Sequence, residues 1–243
     1  LDQLIEFLGS RGKTAPTQLA PSDIEAFRDH MRSSNYTDKS VSRKLNAIKT
    51  FSRFLVTQKV LAADPAAPVA HPKYENPPPR VLTRLEYRAL RDAARGDVRI
   101  SAIIELMLQA GIRIGEVANL TLDDVGDDKI RIRAYESQLE RFIPTNAPAK
   151  QALKAYVSVR PKGGSKHIFV TKTSRPLLVR NIRSSIDRYF REAGIENAKV
   201  NDLRNTFIVH QLKSGGDLVT VSRVSGHKRL STTERYLALV QIP

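Results

Sequence analysis

One tyrosine near the C-terminal end of the chain has neighbours that suggest chemistry. The stretch "SGHKRLSTTERYLALV" covers residues 225–240 and places His227 nine residues before Tyr236. Ser231, followed three residues later by Glu234, has the pattern of a capping box, so we expect a helix to begin there with Tyr236 near its first turn. A tyrosine in that position can fill a core, or its phenol oxygen can act as a nucleophile.

Two arginines lie beside predicted helix ends elsewhere in the chain. In "AGIRIGEVANL", Gly111 ends one helix, Arg113 follows the break, and Glu116 lies one turn further on. In "NDLRNTF", Arg204 lies near the start of another helix. Guanidinium groups bind phosphate oxygens through planar, charge-assisted hydrogen bonds. Taken singly, each arginine can equally serve structure, for example as the partner of Glu116 in an ordinary ion pair.

The chain as a whole is strongly basic. It has 40 Lys and Arg against 25 Asp and Glu, a formal net charge of +15 over 243 residues. A surplus of this size favours a polyanionic partner. Nucleic acid is favoured over a membrane surface, because no basic amphipathic anchor is recognisable.

Composition and spacing also argue against several kinds of protein. Cysteine is absent, which excludes disulfides and thiolate metal sites and fits a reducing cytoplasm. The histidines lack metal-ligand spacing and no phosphate-binding glycine loop is present, so we expect no metal and no cofactor. No apolar run reaches the length of about 18 residues that a membrane span needs, so we expect no membrane partner.

A proline-rich stretch divides the chain. Residues 65–79, "PAAPVAHPKYENPPP", hold six of the 13 prolines. Proline removes backbone donors and disfavours helix in the residue before it, so this stretch reads as an extended linker. We therefore predict a helical domain over residues 1–72, a linker over 73–82 and a second domain over 83–243.

A helix predicted over residues 38–58 of the first domain has two distinct faces. At 100° per residue its apolar side chains share one face. A cationic face interleaved with Asn and Thr suits a helix lying along a DNA groove, although a solvated helix face gives the same pattern. The apolar face comprises Val41, Leu45, Ile48 and Leu55, and the basic face comprises Lys39, Arg43, Asn46, Thr50 and Arg53.

The second domain reads as mostly helical with a small antiparallel β-sheet. "KIRIRAY" and "LERFIPT" alternate like strands of a hairpin around residues 136–138, and "HIFVT" has the pattern of a third strand. The fold class is therefore mainly α, or α+β. "VRNIRSSIDRYFREAG" predicts a helix with Ile182, Ile186, Tyr189 and Phe190 inward and with Arg180, Arg183 and Arg191 on another side.

These segments resemble the tyrosine recombinases of the Xer and phage-integrase type. "AGIRIGEVANLTLDDV" is similar to their first arginine box, and "NDLRNTFIVHQLKSGGDLVTVSRVSGHKRLSTTERYLAL" is similar to their second box through the nucleophile. The order and spacing of Arg204, His227 and Tyr236 match that family. The resemblance extends to "SVSRKLNAIKTFSRFL" and the proline-rich linker, so it covers nearly the whole chain.

The resemblance implies a site-specific recombinase or integrase that cleaves and rejoins DNA through a 3′-phosphotyrosine at Tyr236. Arg113 and Arg204 would clamp the phosphate, His227 would hydrogen-bond it, and Glu116 would support the arginines from behind. The partner would be double-stranded DNA with a specific core site. A SAM-like core-binding domain and the catalytic domain would form a C-shaped clamp, and the protomers would assemble as a synaptic tetramer, with accessory proteins that the sequence does not identify. The place of action would be the nucleoid in the cytoplasm.

Two positions depart from the family pattern. Asn201 stands where the family has a histidine or lysine, and Glu136 stands at the position of an essential lysine in the hairpin. A carboxylate there repels phosphate and cannot protonate the departing 5′ oxygen. Either another group supplies that proton, or the protein binds DNA as an accessory factor and cleaves slowly or not at all. A type IB topoisomerase or a telomere resolvase is a further alternative, and the candidate proton donors are Lys129, Arg133, Arg141 and a lysine of a neighbouring subunit.

Overall fold

The computed structural model describes residues 1–135 and 138–240. The chain divides into two compact units, one over Leu1–Pro77 and one that begins at Pro78. Each unit has a buried apolar core of its own. The fold class predicted from the sequence is confirmed: the described residues are mainly helical, with one small antiparallel sheet.

The proline-rich stretch belongs partly to each unit. Ala66 and Val69 are buried in the core of unit 1, and the Nδ1 atom of His71 lies 3.1 Å from the hydroxyl of Ser42 in the same unit. Leu82 is already part of the core of unit 2. The chain therefore leaves one core after Val69 and enters the other at Leu82.

Unit 1 is built from three α-helices and a short 3₁₀ turn at Pro16–Gln18. The third helix begins where the hydroxyl of Thr37 accepts a hydrogen bond from the backbone N–H of Ser40. Its predicted apolar face is buried, which confirms the two-faced pattern read from the sequence. The helices are α1 (Asp2–Gly9), α2 (Pro21–Ser33) and α3 (Asp38–Thr57).

Unit 2 is organised around a helix that is buried on almost every side. This helix, α5 (Val98–Ala110), is apolar over most of its length and packs against five other helices of the unit. The elements of unit 2 are α4 (Arg84–Ala94), α5 (Val98–Ala110), α6 (Ile114–Asn119), β1 (Lys129–Ile132), β2 (Arg141–Pro144), α7 (Ala147–Val159), α8 (Val179–Glu192), α9 (Val200–Lys213), α10 (Leu218–Ser225), α11 (Ser231–Glu234) and α12 (Leu237–Val240).

Two strands pair where the sequence predicts a hairpin, but the prediction of a third strand is wrong. Strands β1 and β2 are antiparallel, with Ile130 opposite Ile143. The segment "HIFVT" makes only isolated bridges, between Thr121 and His167 and between Val170 and Pro176. Its central residues are buried as a run rather than alternating, so it crosses the core without joining the sheet.

Two predicted helix boundaries are present, but only one of them has the predicted cap. Gly111 ends α5 in the left-handed region at φ 61°, as expected for a glycine cap, and the ring of Phe207 occupies the space where a side chain would start. A helix, α11, begins at Ser231 as expected, but the capping box is wrong, because Leu230 is the N-cap residue and Ser231 already lies within the helix. Tyr236 lies after α11, in the break before α12.

No helix in residues 1–135 or 138–240 combines the length and apolar character that a bilayer crossing requires.

Candidate active site

Three guanidinium groups meet at the C-terminal end of helix α10. The last carbonyls of a helix have no partner within it, and Gly226 turns the chain away with φ 64°. These carbonyl oxygens and the negative end of the helix dipole hold like charges together that would otherwise repel. Arg141 Nε donates to the carbonyl of Val224 at 2.8 Å, Arg204 Nη2 donates to that of Ser225, and Arg113 Nη2 donates to that of Gly226 at 2.6 Å.

Glu116 is the carboxylate of this arginine cluster, which we define as Arg113, Arg141 and Arg204. Arg141 binds it through two parallel hydrogen bonds of 2.8 and 2.7 Å, and Arg113 Nη1 donates to it at 3.0 Å. Burial alone would raise the pKa of Glu116, but the hydrogen bonds and charges of Arg141 and Arg113 outweigh it and lower that pKa. One carboxylate against three guanidinium groups leaves a local surplus of positive charge, which suits a phosphate ligand.

Arg204 is the most enclosed member of the cluster. Its side chain is 3% exposed and also donates to the carbonyl of Gly111, the residue that caps α5. Burial and the nearby charge of Arg113 lower the pKa of Arg204 to about 9, so the group stays cationic at neutral pH. Both of its terminal nitrogens are held by backbone oxygens, which fixes the guanidinium plane.

His227 and Tyr236 lie side by side next to the cluster. Their ring centroids are 6.1 Å apart with an interplanar angle of 12°. His227 Nδ1 lies 2.7 Å from the hydroxyl of Thr233. Burial, followed by the charges of Arg204 and Arg113, lowers the pKa of His227 to about 4. The ring is therefore neutral at physiological pH and offers a phosphate a hydrogen bond rather than a charge.

The hydroxyl of Tyr236 is buried but not in an apolar environment. It donates a hydrogen bond of 2.9 Å to Asn205 Oδ1. Asn205 Nδ2 donates to the carbonyl of Arg80 at 3.1 Å and to Asp202 Oδ1 at 3.2 Å, which fixes the amide with its oxygen toward the phenol. Asn201 Nδ2 donates to the same oxygen at 3.1 Å. Because Asn205 Oδ1 can only accept, the phenol is held there in its protonated form.

The surroundings of Tyr236 disfavour ionisation of its phenol. Burial raises the pKa of Tyr236, and the positive charges of Arg204, Arg235 and Arg113 offset only part of that increase. A phenol that attacks phosphorus must therefore leave Asn205 and lose its proton as it does so.

The structure brings together five of the residues singled out in the sequence. Arg113, Glu116, Arg204, His227 and Tyr236 surround the end of α10 and the break before α12.

Two further positions, Asn201 and Glu136, depart from the family pattern. Asn201 is exposed at the start of α9 and reaches the phenol through Asn205. Glu136 lies outside the described residues.

Three cations near the hairpin were candidates to replace the family lysine, and each has a partner. Arg141 is buried, and both of its terminal nitrogens donate to Glu116. Lys129 Nζ lies over the ring of Phe142, 4.8 Å from its centroid, and Arg133 is paired with Asp124 at 2.7 Å.

The residues predicted to contact DNA are on exposed surfaces of their own units. All five members of the α3 basic face, defined above, are exposed. Arg180 and Arg183 are exposed on α8, and Arg183 also lines an open cavity that reaches Arg113. Within the described ranges, no group of three His, Asp or Glu side chains could hold a metal ion.

Sequence reasoning missed the supporting roles of Arg141, Asn205 and Thr233. Arg141 and Ile143 are two residues apart on β2, so their side chains lie on the same buried face of the strand. This alternation could have predicted a buried arginine, which needs a carboxylate partner. Asn205 is four residues after Asn201 on a predicted helix, which places the two on one face. Nothing local pointed to the contact of Thr233 with the imidazole.

The two parts of the chain match known protein families. Residues 80–241 match the Phage integrase family, and residues 1–59 match the N-terminal SAM-like domain of phage integrases. Tyrosine recombinase XerC of Staphylococcus haemolyticus (strain JCSC1435) is 32% identical over 224 residues, which cover 88% of this chain and 75% of that protein. Tyrosine recombinase XerD of Halalkalibacterium halodurans is 29% identical over 218 residues, covering 85% and 73%.

Solved structures give the same result for the fold. The crystal structure of XerA recombinase superposes with a TM-score of 0.61 at 26% identity, covering 97% of this chain and 82% of that one. A lambda integrase dimer bound to a COC′ core site gives a TM-score of 0.76 at 16% identity, covering 95% and 87%. The extent of these matches, together with the arginine, histidine and tyrosine residues described above, shows that the chain belongs to the phage integrase family of tyrosine recombinases.

Proposed function

We propose that this protein is a site-specific DNA strand transferase that cleaves and rejoins DNA through a 3′-phosphotyrosine on Tyr236. The observation that carries the proposal is the meeting of Arg113, Arg204, His227 and Tyr236 around the end of α10. Family membership supports the reaction class, and the surplus of positive charge supports a phosphodiester as the group that binds there.

The arginine cluster would act on the phosphate as charge builds on it. Attack at phosphorus increases the charge on the non-bridging oxygens, and donors fixed in advance stabilise that change without reorganising. Arg204 is held by two backbone carbonyls and Arg113 by Gly226 and Glu116, so both guanidinium groups are fixed before DNA binds. Neutral His227 would add a hydrogen bond to the same phosphate.

The chemical steps follow from the position of the phenol. Tyr236 leaves Asn205, its oxygen bonds to phosphorus, and the bond to the 5′ oxygen breaks as that oxygen takes up a proton. The phenol proton passes to solvent. The phosphotyrosine conserves the energy of the broken bond, so that a 5′-hydroxyl of another strand can attack it and restore the DNA backbone.

The residue Glu136 at the lysine position would weaken protonation of the 5′ oxygen. Loss of a general acid costs roughly 10²–10⁴-fold in rate. We propose an active enzyme in which another group supplies that proton. A DNA-binding factor without catalysis is not favoured, because the nucleophile, both family arginines and the histidine are all held in one site.

The partner would be double-stranded DNA with a defined core site, bound at nucleoid DNA by several protomers in a synaptic tetramer. The α3 basic face would contact DNA from unit 1, because its cations are exposed. Arg180 and Arg183 would contact DNA from unit 2.

The test is trapping of the covalent intermediate. Duplexes bound by the protein are first selected from a random-sequence library, and a nick is then placed next to each candidate scissile phosphate so that the short cleaved strand diffuses away. Denaturing gels should show a protein–DNA adduct for the native protein and none for Tyr236→Phe. An adduct that persists in Tyr236→Phe, or no adduct on any nicked duplex, would refute the assignment.

Supercoiled plasmid without a selected site provides the discriminating control for the topoisomerase alternative. A site-specific recombinase should leave that plasmid supercoiled, whereas efficient relaxation would favour a topoisomerase of the same chemistry.

A further inference from the structure

An open cavity of unit 2 begins at the arginine cluster and runs to the start of helix α9. Its volume is about 1190 Å³. Arg113, Glu116 and Asn201 are among the residues that line it. Helix α8 adds Arg183 and Arg191 to the wall. A phosphodiester backbone that reached the arginine cluster would run along this cationic cavity.

Lys199 is the only lysine among the described residues that line the cavity. It occupies the N-cap position of α9, where its backbone N–H donates to Asp202 Oδ2 at 2.8 Å. Its side chain is exposed, and its ammonium group makes no hydrogen bond or ion pair with another described residue. The backbone is thus fixed while the ammonium group is left available to a ligand in the cavity.

The position of Lys199 links it to the family arginines. Lys199 and Arg113 line the same cavity, and Lys199 is the N-cap of α9, the helix that carries Arg204. The other nearby cations named from the sequence are engaged, with Arg141 on Glu116 and Arg133 on Asp124.

An ammonium group is also the right chemical type for the missing step. Lysine side chains give up a proton near pH 10, whereas an arginine side chain that is not buried holds its proton more tightly. The cavity also has Asp187 and Glu196 in its wall, but a carboxylate repels the phosphate and carries no proton in its charged form. Lysine further combines its charge with a flexible four-carbon stem.

We propose that Lys199 is the catalytic residue that protonates the departing 5′ oxygen, in place of the hairpin lysine that this chain lacks. The inference depends on the proposed strand transfer at Tyr236. As the tyrosine oxygen bonds to phosphorus and the bond to the 5′ oxygen breaks, the Lys199 ammonium group transfers one proton to that oxygen and becomes a neutral amine. In the joining step the amine takes the proton back from the attacking 5′-hydroxyl.

The test replaces the 5′ bridging oxygen of the nicked duplex with sulfur. A thiolate leaves without being protonated, so a missing general acid no longer matters on this substrate. On ordinary DNA, Lys199→Ala should form adduct roughly 10²–10⁴-fold more slowly than the native protein. On the sulfur-containing duplex the two proteins should react at similar rates. Lys199→Arg should behave like Lys199→Ala, because it keeps the charge but is a poor proton donor.

Lys228→Ala is the matched control. Lys228 is also exposed and directly follows His227, but it does not line the cavity. Its replacement should leave both rates unchanged within about threefold, an estimate for the loss of one exposed charge. Thermal unfolding of each variant would verify that it is folded.

The remaining outcomes distinguish a failure of the proposed strand transfer from a failure of the role assigned to Lys199. A native protein that forms no adduct on either duplex refutes the strand-transfer function and Lys199 with it. If the native protein cleaves ordinary DNA and Lys199→Ala matches it, or is equally slow on both duplexes, only the Lys199 assignment is wrong. Sulfur rescue of Lys228→Ala instead of Lys199→Ala would also overturn that assignment.

Discussion

Two groups of cations in this protein share a sign and differ in almost everything else. The α3 basic face is exposed, and its charges rest on long side chains at the surface of unit 1. The arginine cluster of unit 2 is held by backbone carbonyls and by Glu116, and two of its three members are buried. Exposed cations attract phosphates at little cost in folding free energy, whereas a buried cluster must be stabilised before any ligand arrives.

The difference predicts which step each group serves. A surface cation adds to affinity through release of counterions from DNA, and it does so for any sequence. A guanidinium fixed in a buried site mainly stabilises the charge that develops on the phosphate in the transition state. We therefore expect substitutions in the cluster to affect cleavage and folding, and substitutions on α3 to affect binding and its salt dependence.

The largest expected effect comes from Arg204→Lys. A lysine keeps the charge but cannot reach the carbonyls of Gly111 and Ser225 together, so it also cannot present a planar pair of donors to a phosphate. Single-turnover adduct formation should fall by about 10³-fold, the upper range for loss of one such donor. DNA affinity should change little. The matched variant Arg180→Lys, at an exposed position of α8, should cleave at nearly the native rate, and a loss of binding as large as the loss of cleavage would contradict the distinction.

Glu116→Gln tests how the cluster is stabilised. The change removes the carboxylate shared by Arg113 and Arg141 while keeping the shape of the side chain. Because breaking a buried ion pair leaves uncompensated charge, the free energy of unfolding should fall by about 3 kcal/mol in urea titrations. Asp128→Asn, which breaks the exposed pair with Lys150, should change it by less than about 1 kcal/mol. Equal effects would mean that burial of the cluster has no energetic consequence.

The stability of the protein should depend on pH through His227, because the imidazole of this residue is largely buried. Its pKa is about 4 in the folded protein, below the ordinary value of 6.5, through burial and then the charges of Arg204, Arg113 and Arg141. Between those two pH values the unfolded chain binds a proton that the folded protein does not, so stability falls as the pH is lowered from about 6.5 to 4. His227→Gln should lose less stability between pH 7 and pH 5 than the native protein, by roughly 2 kcal/mol. Urea titrations at both pH values would measure this, and parallel losses would show that His227 does not contribute.

The smallest effect is expected on α3. Replacing Lys39, Arg43 or Arg53 by alanine should each lower the slope of log Kd against log salt concentration by about 0.9, if each neutralises one phosphate. Lys44→Ala is the control on the same helix, because the ammonium group of Lys44 is bonded to Gln3. A slope that stays unchanged for all three variants would place this face away from DNA.

Local features of the fold could be read from the sequence because short-range rules determine them. The glycine stop at Gly111, the amphipathic pattern of α3 and the pairing of β1 with β2 all depend on residues close in the chain. The capping box at Ser231 failed because Leu230 already has helical backbone angles and takes the N-cap position, which leaves Ser231 within the helix. The sequence pattern alone could not distinguish these two registers.

The candidate site was predictable only in part. Resemblance to a family singled out Arg113, Arg204, His227 and Tyr236, but it gave no reason why the arginines tolerate one another. That reason is the carbonyl-lined end of α10, which gathers side chains from three separate elements. Asn205 was likewise invisible as an acceptor for the phenol, since its contact with Tyr236 joins residues 31 positions apart.

Identification of the amino acid that carries the trapped DNA tests the central claim most directly. The adduct formed on a nicked duplex would be digested with protease and nuclease, and the modified peptide sequenced by tandem mass spectrometry. We predict a nucleotide remnant on Tyr236 alone. A remnant on any other residue, or an adduct whose yield does not change in Arg204→Lys, would contradict the proposal that this phenol and the arginine cluster act on one phosphate.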